Sequence, residues 1–237
     1  MLLEFTGPAG IGKTTLSKLL ASQNNNFKRA NNPKNLITIW SLLWLIKYLP
    51  QCGKQLRHSI EYAKKRNLRH PILSGILLTL KKTQFLGMKK SKEIYVRDEA
   101  AFQCNKWIAK QPRPPQTTVE NIIIKGDTPP DLLILLDGPT QLIEKQLRLR
   151  GDYTDRLISS KNLGFSSISE RKNNYDQLNF QKEQICEKNN IAIMKVTLSD
   201  LGKVKNIESF QNRSKVSLTE IITIELAIRM AIESSNQ

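Results

Sequence analysis

Cysteine is scarce in this chain, which has only Cys52, Cys104 and Cys186 among its 237 residues. The three lie far apart without paired spacing, so the sequence predicts neither a disulfide framework nor a metal site built from cysteines. A reduced, cytoplasmic setting is therefore the expectation. We also expect no signal peptide, because Met1 leads directly into a short strand that contains Glu4 where an apolar stretch would be needed.

Long hydrophobic runs are absent as well. The most apolar stretch, 36–49, has fourteen residues and ends before Pro50, which makes it too short to span a bilayer easily. Its pattern favours a buried helix. An interfacial helix lying on a membrane stays open as the alternative, because the region around it is basic.

Acidic residues are nearly missing between 24 and 92. This stretch contains fifteen Lys or Arg and one acid, Glu61, so it carries +14 of the chain's net charge of +16. Such a one-sided field attracts a phosphorylated substrate, nucleic acid or an anionic membrane, although a solvated basic surface is an equally good explanation. No RNA- or DNA-binding motif is present, which weighs against nucleic acid.

The most informative feature that is present lies at residues 7–14. Gly7, Gly12, Lys13 and Thr14 occupy every fixed position of the phosphate-binding pattern G-x-x-x-x-G-K-[ST], between an apolar strand and a helical pattern. Glycines let phosphate oxygens approach the backbone N–H groups, and the helix after the loop adds its positive end. A plain glycine turn is the bland alternative. We predict that a nucleotide's phosphates bind to Gly7, Pro8, Ala9, Gly10, Ile11, Gly12, Lys13, Thr14 and Thr15, with the hydroxyl of Thr14 on Mg²⁺.

Two predicted strand ends offer a carboxylate for the metal. Asp98 and Glu99 end the segment 93–99, and Asp137 ends the pure apolar run 131–137. The paired acids suit one metal-linked carboxylate, which we assign to Asp98, and one base. Each acid is also a reasonable helix N-cap, so the choice between Asp98 and Asp137 stays open.

Arginines follow the second of these strands. Arg148, Arg150 and Arg156 flank a polar segment at 151–165, and Arg171 comes further on. Because arginine holds phosphate oxygens with two N–H groups, we interpret this segment as a lid loop that closes over the nucleotide. Ordinary helix-surface arginines are the alternative.

Strands and helices alternate along the chain, which predicts an α/β fold with a parallel sheet covered on both faces. We treat 1–237 as a single domain, with an inserted basic helical region at 24–92 that begins with an asparagine-rich loop. Strands are predicted at 1–5, 93–99, 131–137 and 191–198. Helices are predicted from Thr15 onward and at 36–49, 54–70, 72–80, 100–110, 118–125, 141–150, 169–188 and 218–232.

These features resemble the P-loop nucleoside and nucleotide kinase group, most nearly its thymidylate kinase-like branch. The matching pieces are Gly-Pro-Ala-Gly-Ile-Gly-Lys-Thr at 7–14, Val-Arg-Asp-Glu at 96–99, and 131–139 followed by Glu144, Arg148 and Arg150. The resemblance implies a three-layer sandwich with a parallel sheet of about five strands, and transfer of the γ-phosphoryl of ATP, bound with Mg²⁺, to a small acceptor. It implies further that Asp98 or Glu99 interacts with the metal and with the acceptor, and that Arg148, Arg150 and Arg156 belong to the lid.

The acceptor is less defined. The Asp-Arg pair typical of thymidylate kinases is replaced here by Asp98-Glu99, and their thymidine-reading residues are not recognisable in 24–92. We therefore expect a kinase for a small, anionic acceptor such as a nucleotide or nucleoside. The alternative is an NTP-binding or NTP-hydrolysing protein that engages nucleic acid or an anionic membrane through 24–92. A homodimer stays open in either case.

Overall fold

A computed structural model describes residues 1–30, 56–57, 59–61, 64, 70–98, 129–162, 164–210 and 216–234. The predicted helices at 36–49, 100–110 and 118–125 lie outside the described residues, as does Glu99. Most of the basic segment before residue 70 lies outside them too.

The described strands form a six-stranded sheet. They are β1 (Leu2–Thr6), β2 (Phe27–Arg29), β3 (Ile94–Asp98), β4 (Leu132–Asp137), β5 (Ala192–Leu198) and β6 (Val204–Phe210). Their order across the sheet is β2-β3-β1-β4-β5-β6, and every pair is parallel except β5 with β6. The α/β class with a parallel sheet of five strands is confirmed.

Two strands differ from the sequence prediction. β2 lies inside the predicted asparagine-rich loop, where buried Phe27 packs into the core while Lys28 and Arg29 are exposed. β6 comes after the segment predicted to be the last strand and pairs with β5 as an antiparallel hairpin. Both are edge strands with few buried side chains, so neither has the apolar run that marks an interior strand.

The described helices are α1 (Lys13–Gln23), α2 (Pro71–Lys90), α3 (Thr140–Leu149), α4 (Tyr153–Lys161), α5 (Ile168–Lys188) and α6 (Leu218–Ser234). Helix α2 continues ten residues beyond its predicted end at Leu80, because Phe85 near its end is buried against the sheet. The prediction of a lid loop at 151–165 was wrong in its conformation, since α4 occupies most of it. Gly151 and Gly164 bracket this short helix and make its sequence resemble a loop.

The core lies on both faces of the sheet. In β1, the side chains of Leu3 and Phe5 pack with α1, α3 and α6, whereas Leu2 on the opposite face packs with Phe85 of α2. This alternation within one buried strand arises because successive side chains point to opposite faces. The result is a three-layer arrangement with the parallel strands in the middle.

Chain direction creates a crevice at the carboxyl edge of the sheet. From β1 the chain passes through α1 to β2 on one side, and from β4 it passes to β5 on the other side. Ligands of open α/β sheets bind where the connections diverge in this way. The loop 7–12 and the segment 138–139 directly follow β1 and β4, so both lie at this edge of the sheet. Within the described residues, no helix has the length and apolar character needed to span a membrane.

Candidate functional site

The loop between β1 and α1 fits closely against β4. A Cβ atom built on Gly7 would lie 2.4 Å from the backbone oxygen of Leu136, a distance that real side chains do not adopt. Gly12 has φ +100° and caps the start of α1, yet a Cβ built there would have no neighbour within 4 Å. One glycine therefore allows close packing of the loop, while the other permits a left-handed backbone that faces open space.

Lys13 lies at the centre of this loop. Its side chain is buried, and its Nζ donates hydrogen bonds to the carbonyl oxygens of Gly7 (2.8 Å) and Pro8 (2.9 Å). A buried ammonium group needs such partners, because desolvating a charge is costly. The loop thus holds a positive charge within reach of any anion bound above it.

The first turn of α1 completes an anion-binding geometry. The first N–H groups of a helix have no partners within the helix, and Gly12 has no side chain to accept from them. Thr14 and Thr15 are exposed at this end, and the backbone oxygen of Thr14 accepts a hydrogen bond from Ser17 Oγ at 3.1 Å. Backbone donors, the helix dipole and an exposed threonine hydroxyl group therefore meet at one point.

Helix α3 and the end of β4 form a wall of the loop. A Cβ on Gly10 would lie 3.0 Å from Leu147 Cγ, and one on Gly138 would lie 2.9 Å from Ile11 Cδ1. Ile11 N donates to Pro8 O at 3.4 Å within the loop. The loop is therefore supported by packing on β4 and α3.

The two candidate carboxylates lie on opposite faces of the sheet. Asp98 is paired in register with Phe5, so it shares the face that α1 covers. Asp137 lies two positions after Leu135 in β4, so their side chains share a face of the sheet. Leu135 is paired in register with Thr6, which accepts a hydrogen bond from Lys182 of α5, so this is the face that α5 covers. Both carboxylates lie at the carboxyl edge of the sheet, but only Asp98 lies on the face that is covered by α1, the helix that contains Thr14.

The two carboxylates also differ in their partners. Asp98 lies 3.5 Å from Arg29 of β2. Asp137 Oδ1 accepts from the N–H of Gly138 (2.7 Å) and lies 3.2 Å from Lys172 Nζ, which also binds Asp176 at 2.8 Å. Burial alone would lower the pKa of Lys172, but the hydrogen bond to Asp176 and the charge of Asp137 outweigh it and raise that pKa.

The three arginines predicted for the lid are exposed. Arg148 directly follows Leu147, which contacts the loop, and its guanidinium stacks on the ring of Tyr153 at 3.8 Å from the centroid. Arg150 lies at the C-cap of α3, and Arg156 lies on α4. Arg171 of α5 is half-buried and donates to Ser160 Oγ at 3.2 Å. The structure thus places these arginines on α3, α4 and α5, between β4 and β5 in the chain.

A buried polar layer beneath the loop was not predicted from the sequence. Glu4 and Arg97, neighbours in register on β1 and β3, form a buried ion pair at 2.8 Å. Lys182 of α5 is also buried and donates to Thr6 Oγ1 at 2.9 Å, directly before Gly7. The available signal was a charged residue inside an apolar strand, which we interpreted only as evidence against a signal peptide.

Solved structures resemble this chain at low sequence identity. No protein-family model matches the chain, and neither does any curated protein. Among solved structures, it is similar to the thymidylate kinase from Ehrlichia chaffeensis, with 14% identity, 95% of this chain and 97% of that chain covered, and a TM-score of 0.39. It is also similar to the deoxyadenosine kinase from M. mycoides with bound dATP, with 14% identity, both chains covered completely and a TM-score of 0.44. The same enzyme with bound dCTP gives 14% identity, coverages of 95% and 98%, and a TM-score of 0.40.

Proposed function

We propose that this chain is an ATP-dependent phosphotransferase that transfers the γ-phosphoryl group to a small, anionic acceptor such as a nucleotide or nucleoside. The observation that carries the proposal is the loop at 7–14. Its sequence has the complete phosphate-binding pattern, and the ammonium group of Lys13 donates hydrogen bonds to two carbonyl oxygens of the loop. The loop leads into helix α1 at the carboxyl edge of a parallel sheet.

In this proposal the loop N–H groups and the first turn of α1 hold the nucleotide's β- and γ-phosphates. Lys13 offsets negative charge on the oxygens of the transferring phosphoryl group, because its buried ammonium group already lies at the centre of the loop. Phosphoryl transfer requires little covalent chemistry from the protein, so positioning and charge neutralisation are the main contributions.

The donor set at this edge fits Mg²⁺. Thr14 offers an exposed hydroxyl group and Asp98 a carboxylate on the same face, and both are the hard oxygen ligands that this ion prefers. Among the described residues, no cluster of three His, Cys, Asp or Glu side chains is present. Mg²⁺ in such enzymes uses one or two protein oxygens together with phosphates and water, so a small donor set suits it. Thr14 and Asp98 would hold the ion, which when bound would supply positive charge to offset that of the phosphate oxygens.

We assign the metal-linked role to Asp98 rather than Asp137, because Asp137 is held by Lys172 on the opposite face. Glu99, the candidate base, lies outside the described residues and keeps this role as a prediction. Arg148 and Arg150 at the end of α3 and Arg156 on α4 would neutralise charge on the migrating group, so the proposed lid is helical at α4 and is not a loop.

The acceptor is proposed to bind beside the basic segment 24–92, whose charge suits an anionic molecule. Within its described part, Lys28 pairs with Glu93 and Arg29 with Asp98, so basic side chains reach the edge of the sheet at β3. The cytoplasmic setting and a homodimer both stay predictions.

An acceptor screen tests the proposal. Nucleosides, nucleotides and phosphorylated sugars are incubated with Mg²⁺ and ATP labelled in the γ-phosphate, with Lys13→Ala as the control. We expect a labelled small product from the wild type and at least about a hundredfold less from Lys13→Ala. Intact ATP binding without any labelled product would contradict the proposal.

The same preparation separates the alternative function. A protein that engages nucleic acid through 24–92 would hydrolyse ATP faster when RNA is added, and its RNA binding would weaken steeply with salt. RNA-stimulated hydrolysis without a phosphorylated small product would favour that alternative over a kinase.

A further inference from the structure

A buried lysine of α5 contacts the residue that precedes the phosphate-binding loop. Lys182 is 2% exposed, and its Nζ donates hydrogen bonds to Thr6 Oγ1 at 2.9 Å and to Asn179 Oδ1 at 3.4 Å. The same ammonium group lies 4.7 Å from the centroid of the Tyr175 ring. Thr6 is the last residue of β1 and is itself buried. The ammonium group is therefore held at the point where the chain leaves the sheet and enters the loop.

An ammonium group is costly at this position. Lys182 lies on the buried face of α5, beside Leu178 and Ile185 of the core. Taking a charged group out of water is unfavourable, and an apolar side chain of similar length would fill the same space without that cost. Packing alone would thus favour an apolar residue. The reason for a lysine therefore lies in the oxygens that it contacts, which belong to Thr6 and Asn179.

The contact at Thr6 continues through the backbone to Lys13. Gly7 follows Thr6 directly, and its carbonyl oxygen accepts a hydrogen bond from Lys13 Nζ at 2.8 Å. Gly7 also packs closely on β4, because a Cβ atom there would lie 2.4 Å from the backbone oxygen of Leu136. A contact that fixes the side chain of Thr6 thus fixes the direction in which the chain enters the loop. It thereby fixes the carbonyl group that holds the loop ammonium.

Helix α5 is a suitable anchor for this contact. Lys172 in its first half lies 3.2 Å from Asp137 at the end of β4. Ile185 and Cys186 in its second half are fully buried in the core. The helix is therefore held against the sheet on both sides of Lys182, so its position does not depend on the conformation of the loop.

We propose that Lys182 is a positioning residue for phosphoryl transfer, acting through Thr6 on the loop and on Lys13. The inference rests on the proposed function and deepens it, since Lys182 contacts neither phosphate nor metal in this arrangement. It keeps the Gly7 carbonyl, and with it the Lys13 ammonium, where the transferring group needs positive charge. A displacement of about 1 Å at such a group lowers a rate by about a hundredfold.

The test compares Thr6→Val, Thr6→Ser and Lys182→Met, with Lys195→Met as the matched control. Thr6→Val keeps the shape of the side chain and removes the hydroxyl group, whereas Thr6→Ser keeps the hydroxyl group. Lys195 of β5 pairs with Glu183 of α5 at 2.8 Å, so Lys195→Met removes a lysine contact of the same helix that does not involve Thr6. Transfer of labelled phosphate gives kcat, and calorimetric titration without acceptor gives the ATP affinity.

We expect Lys182→Met and Thr6→Val each to lower kcat about 10- to 100-fold, because the Lys13 ammonium is no longer held in place. Their ATP affinity should change less than about threefold, since the loop N–H groups still bind the phosphates in the ground state. Thr6→Ser and Lys195→Met should keep kcat within about threefold of the wild type. The double variant Thr6→Val/Lys182→Met should be no slower than the slower single variant, because both changes remove the same contact.

Thermal unfolding separates positioning from a structural role. A purely structural contact would lower the melting temperature and leave kcat unchanged when the assay is run well below that temperature. If Lys182→Met does not fold, Thr6→Val and Thr6→Ser carry the test, because both leave the lysine in place.

Each failure has a distinct signature. Wild-type kcat in Thr6→Val overturns the positioning role and leaves the proposed function standing. So does a double variant whose loss is the product of the two single losses, because Lys182 would then act independently of Thr6. A wild type that yields no labelled product with any acceptor overturns the proposed function and the positioning role together.

Discussion

Two glycines of the loop should respond differently to the same substitution. Gly7→Ala places a methyl group 2.4 Å from the backbone oxygen of Leu136, so the loop must move away from β4. Gly12→Ala meets nothing within 4 Å and adds only the strain of a left-handed backbone at φ +100°. The pair therefore separates steric contact from backbone strain within one loop.

The magnitudes follow from these geometries. Left-handed strain costs about 1–2 kcal/mol for a non-glycine residue, so Gly12→Ala should lower the melting temperature by about 2–8 °C. Gly7 also has a positive φ, +154°, so Gly7→Ala combines similar strain with overpacking of about 1–3 kcal/mol against a rigid strand, for a total of about 2–5 kcal/mol. Its melting temperature should fall by about 4–20 °C.

Binding should respond in a different order from stability. The open space beside Gly12 is where we place phosphate oxygens, so a methyl group there should weaken ATP binding about tenfold or more. Thermal unfolding and ATP titration of both variants measure the two effects. Equal stability losses would refute the close contact between the loop and β4. Unchanged ATP affinity in Gly12→Ala would refute the placement of the phosphates.

Three further predictions concern the surroundings of the loop. Asp98→Asn should raise the Mg²⁺ concentration needed for half-maximal transfer about tenfold or more, while Asp137→Asn should leave it unchanged; the opposite order in a Mg²⁺ titration would reverse our assignment. Arg97→Met should lower the melting temperature by roughly 6–20 °C, because breaking a buried ion pair costs about 3–5 kcal/mol, and a fall of under about 3 °C would contradict this. Burial and the charge of Glu4 raise the pKa of the Cys186 thiol, so in a background without the other two cysteines a thiol reagent should react with it only after denaturant is added.

The sequence predicted the parts of the fold that have strong periodic signals. Asp131–Asp137 was predicted as a buried strand because its apolar run is uninterrupted, and β4 occupies Leu132–Asp137. The loop at 7–14 was predicted from fixed residues at a spacing that phosphate binding requires. Both signals are local, so tertiary context was not needed to find them.

What the sequence did not predict depends on contacts between distant segments. β6 is an exposed edge strand that is held by backbone pairing with β5. Its own residues therefore show no pattern of buried side chains. The pairing of Asp137 with Lys172 is likewise a contact between β4 and α5, thirty-five residues apart. Choosing between Asp98 and Asp137 needed the strand register, because adjacent positions in a strand face opposite sides.

The most direct test of the central claim is a calorimetric titration of ATP with Mg²⁺ into the wild type, Lys13→Ala and Lys18→Ala. Lys18 is an exposed lysine on the same helix, so it matches the charge change without touching the loop. We predict that the wild type and Lys18→Ala bind ATP with equal affinity, and that Lys13→Ala binds about 10- to 100-fold more weakly. Equal affinity in all three proteins, or no binding by the wild type, would contradict the claim that this loop holds a nucleotide's phosphates.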